Sequence, residues 1–139
     1  MDEPRWIARE LAEALHHDQL RTYGGRFGVR DGTLLESALA RPQQRWAYEP
    51  DSDLFDLAAS YAFGIANNHP FVDGNKRTAF AAMTLFLAIN RSPLRAKEPD
   101  AILTMLGVAS GELGEPELAA WCRQRGSDDA SRRGVPVSE

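Results

Sequence analysis

Apolar positions recur along this chain mostly with a helical period. Over residues 4–22, Ile7, Leu11, Ala14 and Leu15 fall at helical spacing between Arg5, Arg9, Glu10, Glu13 and Asp18. This predicts an amphipathic helix with Pro4 in its first turn. Tyr23-Gly24-Gly25 stops it, and Gly28 keeps the next segment irregular. Asp31 is placed to cap a second helix reaching about Ala40, with Leu34, Leu35, Ala38 and Leu39 turned inward. Residues 41–51 follow neither a helical nor a strand period and hold two prolines, Pro42 and Pro50. Residues 52–67 predict a third helix with a wide stripe of Leu54, Leu57, Ala58, Tyr61, Ala62 and Ile65. Residues 75–91 are apolar nearly all round, which predicts a central helix buried by the others. Pro99 and Glu115-Pro116 open two more helices. No long alternating strand is present. The pattern predicts an all-α single domain over residues 1–125, with at most a small β-hairpin near residues 41–50. From Gly126 the composition turns polar (GSDDASRRGVPVSE), which predicts a disordered C-terminal tail over residues 126–139.

Composition narrows the function classes. A chain of 139 residues, 43% of them apolar, suits one soluble domain with a real core. The net charge of −4 and pI near 5.4 argue against nucleic acid as a direct partner. The single cysteine, Cys122, excludes an internal disulfide and suits a reducing cytosol. It lies in an apolar run, so a buried thiol is expected rather than a nucleophile. No signal-peptide pattern opens the chain, and the longest apolar run, near 79–89, is too short to span a bilayer. The expected location is cytoplasmic, with no membrane partner. His16 and His17 are adjacent, face different ways on a helix and make a poor metal pair.

The chemistry concentrates between the third and fourth helices, in His69-Pro70-Phe71-Val72-Asp73-Gly74-Asn75-Lys76-Arg77. A mere interhelix turn needs only a few turn residues. This one carries an imidazole, a carboxylate, an amide, an ammonium and a guanidinium, a set that is costly to bury unless paired or used. Asn67 and Asn68 suit the left-handed end of the preceding helix, and Pro70 prevents its continuation. Gly74-Asn75 can turn the backbone into the next helix, whose first N–H groups would face an anion. Lys76 and Arg77 lie at the helix end where the dipole disfavours cations, so a bound anion accounts for them. His69 is a candidate base, Asp73 a candidate Mg²⁺ ligand, and Asn75, Lys76 and Arg77 candidate phosphate holders. The set describes transfer of a nucleotide-derived group to a protein hydroxyl.

HPFVDGNKR resembles the signature of the Fic/Doc family, His-Pro-Phe-x-(Asp/Glu)-Gly-Asn-(Gly/Lys)-Arg. Lys76 resembles the Doc (death on curing) branch, where most Fic proteins have Gly. The Tyr-Gly-Gly run, Arg30-Asp31-Gly32 and Leu35-Glu36-Ser37-Ala38-Leu39 extend the resemblance over roughly residues 11–90. The resemblance implies a Fic/Doc-type helical bundle with His69 as catalytic base and Phe71 as a buried anchor. It implies Asp73 as the Mg²⁺ residue, Gly74 and Asn75 as the anion-binding turn and Arg77 as the phosphate-binding arginine. It also implies a flap at the stretch after the second helix, which would make Trp46 and Tyr48 candidate target-binding residues. The alternative there is that both pack over the core. Doc proteins are toxins of type II toxin–antitoxin systems that use ATP and Mg²⁺ as kinases on elongation factor Tu. Gly-bearing Fic proteins instead transfer AMP. Pro70 and Gly74 are Fic-like, whereas Lys76 favours γ-phosphate transfer. The inhibitory (Ser/Thr)-x-x-x-Glu-(Gly/Asn) helix of many Fic enzymes has no match, Ser110-Gly111-Glu112-Leu113-Gly114 coming nearest. A cognate antitoxin on a separate chain is therefore expected. Non-enzyme alternatives are an inactive binding module and a DNA-binding regulator.

Overall fold

The structure, a computed structural model, describes the backbone of residues 1–134 and the side chains of residues 1–126. Six helices follow one another among the described residues: α1 (Arg9–Tyr23), α2 (Gly32–Tyr48), α3 (Leu54–Asn68), α4 (Asn75–Ile89), α5 (Glu98–Ser110) and α6 (Glu115–Gly134). Several boundaries have a local cause. Asp31 caps α2 as its sequence position predicts, its carboxylate accepting from the Leu34 N–H at 3.0 Å. Asp53 and Asp56 form a reciprocal capping box at the start of α3. Glycines in the left-handed region sit at the start of α4 (Gly74) and the end of α5 (Gly111).

The first helix starts later than its periodicity predicts. Residues before Arg9 run along the bundle instead. The Ile7 side chain is buried, and its N–H donates to the Tyr61 hydroxyl at 2.9 Å. The Arg5 backbone exchanges two hydrogen bonds with the Asn90 amide, at 2.8 and 3.0 Å. Trp6 follows, stacked on Phe86 and edge-on to Trp46.

The expected hairpin near residues 41–50 is absent; residues 41–48 form the second half of α2, and Glu49 is its C-cap. Pro42 lies inside the helix, buried. It has no N–H to give the Ala38 carbonyl, yet the helix continues because this face is pressed against α3. A Cβ at Gly64 would lie 3.2 Å from the Cα, Cβ and carbonyl oxygen of Ala38. Tertiary packing overrides the local proline signal here.

The helix at the centre is also a correction. It is α3, with ten of fifteen residues buried, rather than α4, with seven of fifteen. α3 packs on α2, α4, α5 and α6. α4 covers one side of α3 and leaves Phe80, Ala81, Thr84 and Leu85 half-exposed. Across the other side, α6 is tied by ions. Arg41 and Arg45 of α2 pair with Glu115, and Arg123 pairs with Asp53 and Asp56. α6 continues through Gly134, past residue 126 where the composition changes. The remainder of the expected tail, residues 135–139, lies outside the described residues. No described helix is long and apolar enough to cross a membrane.

Candidate active site

The chain between α3 and α4 is short, and almost every backbone group in it has an assigned partner. α3 ends on His69, in the left-handed conformation at φ 49°, ψ 54°, with its N–H bonded to the Ile65 carbonyl. The left-handed residue is thus His69 itself rather than the asparagines before it. Asn68 does another job: its amide donates to the Leu34 carbonyl at 2.9 Å and ties α3 to α2. The last carbonyls of α3 would otherwise be orphaned. The Arg30 guanidinium takes two of them, donating to His69 O at 2.7 Å and to Asn68 O at 2.9 Å.

Residues 28–31, between α1 and α2, run antiparallel beside the loop. Val29 bridges Phe71, the Arg30 and Asp31 N–H groups donate to the Pro70 carbonyl, and the Val72 N–H donates to Gly28 O. The extended segment that lines this loop is therefore 28–31 and not 41–50. Trp46 and Tyr48 lie toward the opposite end of α2, roughly 25 Å along its axis from Asp31 at 1.5 Å per residue. Trp46 packs on Trp6, and Tyr48 is 83% exposed.

Phe71 is buried at 1% exposure, its ring stacked on His16 at 3.9 Å between centroids. The Asn75 side chain closes the turn around it. Its carbonyl accepts from the Phe71 N–H and its amide donates to the Phe71 carbonyl, both at 3.0 Å. That amide is buried and fully engaged. Asn75 can meet an anion only through its main-chain N–H.

Gly74 enters α4 at φ 74°, and the helix has no side-chain cap. Its first-turn N–H groups face the loop, a natural seat for phosphate oxygens. A Cβ at Gly74 would come 3.0 Å from Leu20 Cδ2. Arg77 is half-buried, donating to Gly24 O at 3.0 Å with its guanidinium over the Tyr23 ring. Lys76 is exposed. Both line a groove of about 640 Å³ walled by Tyr23 and Phe80 on one side and Ile102 and Met105 of α5 on the other. That volume is in the range of nucleotide-sized ligands.

The Asp73 carboxylate is exposed and held by two backbone donors, the Arg26 N–H at 3.2 Å and the Gly74 N–H at 3.0 Å. Those donors, with Arg77 nearby, keep its carboxyl below the usual range, so it is anionic near neutral pH. No cluster of three or more His, Cys, Asp or Glu residues suited to a metal occurs among the described residues. A lone exposed carboxylate fits Mg²⁺ nonetheless, since that ion takes one or two carboxylates and completes its shell with phosphate oxygens and water.

These features have counterparts in known proteins. The chain matches the sequence model of the Fic/DOC family over residues 6–87. It is 38% identical over 120 residues to the protein kinase doc of Escherichia phage P1, covering 86% of this chain and 94% of that one. The chain belongs to the Fic/Doc family. A second relative, the toxin Doc of Mycolicibacterium smegmatis, is 47% identical over 75 residues, 53% of this chain and 58% of that one.

The structure of this Fic/Doc protein adds residues that the signature does not contain. His16, Gly25, Arg26 and Arg30 all serve the loop from α1 and the α1–α2 connection. A Cβ at Gly25 would lie 2.7 Å from Leu20 Cδ2 and 3.0 Å from Asp73 Oδ2. The Tyr-Gly-Gly and Arg-Asp-Gly runs were the available signals for Gly25 and Arg30, and Arg26 directly follows the first of them. His16 carried none beyond its place on the apolar side of α1.

Proposed function

We propose that the chain is a Fic/Doc toxin that moves the γ-phosphate of ATP to a Ser or Thr hydroxyl of a protein target. In this reading the target is elongation factor Tu and the consequence is arrest of translation. The observation that carries the reading is Lys76, exposed on the groove at the uncapped start of α4 with Arg77 beside it. A lysine there occupies space a glycine would leave open and offers a point charge to a terminal phosphate. The phage P1 relative, a protein kinase matched over 94% of its length, supports it.

His69, exposed at the end of α3, accepts the proton of the target hydroxyl. The hydroxyl oxygen forms a bond to the γ-phosphorus, the bond from that phosphorus to the bridging oxygen breaks, and ADP leaves. Lys76, Arg77 and the first N–H groups of α4 meet the charge on the phosphate oxygens. Asp73 would hold Mg²⁺, which supplies further charge neutralisation when bound. AMP transfer is the second reading, favoured by Pro70 and Gly74, which match the Fic form of the signature. The partner of such a toxin is a cognate antitoxin on a separate chain. Exposed Ile102, Leu103 and Leu106 on α5 support an apolar docking face next to the groove.

Intact mass spectrometry of elongation factor Tu after incubation with the protein, ATP and Mg²⁺ tests the proposal, with His69→Ala as control. A gain of about 80 Da, one phosphoryl group, that vanishes in the variant is the expected result. A gain of one AMP would replace kinase with adenylyl transfer. No gain on this or any other translation factor would remove the target.

A further inference from the structure

His16 lies on α1, fifty-seven residues from Asp73 in sequence, and is buried at 4% exposure. Two contacts define its position. Its ring stacks on Phe71 with planes 7° apart. Its Nε2 lies 2.8 Å from the carbonyl oxygen of Asp73. A carbonyl only accepts, so Nε2 carries the hydrogen and donates.

The peptide that His16 grips is the one joining Asp73 to Gly74. At its other end, the Gly74 N–H donates to Asp73 Oδ1 at 3.0 Å. One rigid peptide plane therefore carries both bonds: its C=O is fixed by His16 and its N–H fixes the Asp73 carboxylate. Gly74 at φ 74° leaves this plane free of side-chain restraint from its own residue, so the restraint must come from outside. Without the His16 donor, the plane can rotate, and the carboxylate loses one of its two backbone donors.

We infer that His16 is a positioning residue that aims the Asp73 carboxylate at Mg²⁺ through the 73–74 peptide. The inference rests on the functional reading above, in which Asp73 holds Mg²⁺ beside a nucleotide. Partners that orient a metal ligand commonly change metal affinity about 10- to 100-fold when removed.

The test compares His16→Phe, which keeps a ring to stack on Phe71 but has no donor, with His16→Gln, which keeps an N–H donor. Nucleotide binding is titrated by calorimetry at increasing Mg²⁺, and thermal unfolding is recorded for each protein. The expected result is a Mg²⁺ requirement raised about tenfold or more in His16→Phe and largely restored in His16→Gln. An unchanged Mg²⁺ requirement in a folded His16→Phe protein would overturn the inference while leaving the functional reading in place. Absence of Mg²⁺-dependent nucleotide binding by the unaltered protein would overturn both. Nitrogen-15 NMR of the unaltered protein is independent of any variant's folding: Nε2 must carry the ring proton, and the opposite tautomer would overturn the inference.

Discussion

Replacing Asn75 with Ala should destabilise the whole domain although the residue belongs to the signature loop. Asn75 makes two hydrogen bonds of 3.0 Å to the N–H and C=O of Phe71, itself 1% exposed. Truncation leaves both backbone groups buried beside a small void. An unsatisfied buried group costs about 1–3 kcal/mol, so the pair costs about 2–6 kcal/mol, the lower end applying if water enters. A domain of this size has roughly 5–15 kcal/mol in total. Urea unfolding followed by far-ultraviolet circular dichroism should show a midpoint shifted strongly downward at constant slope. Asn75→Asp keeps the acceptor for the Phe71 N–H but sets a carboxylate against the Phe71 carbonyl, so at pH 7 it should be no more stable than Asn75→Ala. The neighbouring Lys76→Ala is the contrast. Lys76 is exposed, and its loss should move stability by less than about 0.5 kcal/mol while abolishing transfer. If Asn75→Ala also stays within about 0.5 kcal/mol, the loop is not held by this clamp and the account of its rigidity fails.

Two further outcomes concern residues outside the loop. Burial pushes the Asp53 carboxyl up, but the Arg123 guanidinium and the Asp56 N–H outweigh it and bring it below the usual range. A lowered folded value means stability present above the unfolded value, near 3.9, and lost as pH falls through the folded one. The urea midpoints of the unaltered protein and Arg123→Ala should therefore converge below about pH 4. The gap at pH 7 is modest, under about 1 kcal/mol, because the pair is partly exposed; a gap constant with pH would contradict this. Cys122 is buried at 0% exposure against Met83, and burial pushes its thiol up to about 12. An aromatic disulfide reagent should leave it unlabelled in native buffer and label one thiol in urea; rapid native labelling would contradict its burial.

Helices were legible where the cause is local. The caps at Asp31 and the stop at Gly24 are side-chain and backbone effects within a few residues, and the structure places both as the sequence predicts. Failures came where a distant contact decides. Pro42 reads as a boundary until the close approach of Ala38 to Gly64 is known. Residues 4–8 carry a helical period, but Tyr61 and Asn90 offer their backbone better partners. α3 and α4 are both rich in apolar residues, and nothing in either pattern says which has neighbours on more sides. The signature residues were conspicuous because charged groups beside apolar runs are rarely accidental. Arg30 and His16 reach the loop across 39 and 57 residues, separations at which no periodicity speaks.

The division of labour within the loop follows from burial. Phe71 and Asn75 spend their side chains on one another's surroundings and on the core, which is why neither side chain can touch a substrate directly. His69 and Lys76 are exposed, and Asp73 offers an exposed carboxylate. A reactive side chain on a loose turn would sample many orientations, and the gain from positioning would be lost. Here the turn is fixed at its three backbone corners: Arg30 at His69, the 28–31 segment at Pro70 and Val72, and His16 at Asp73. All three restraints come from α1 and the segment that follows it. The α1–α2 connection is therefore as much a part of the candidate site as the signature itself, and a substitution there can disorder the loop without altering any signature residue.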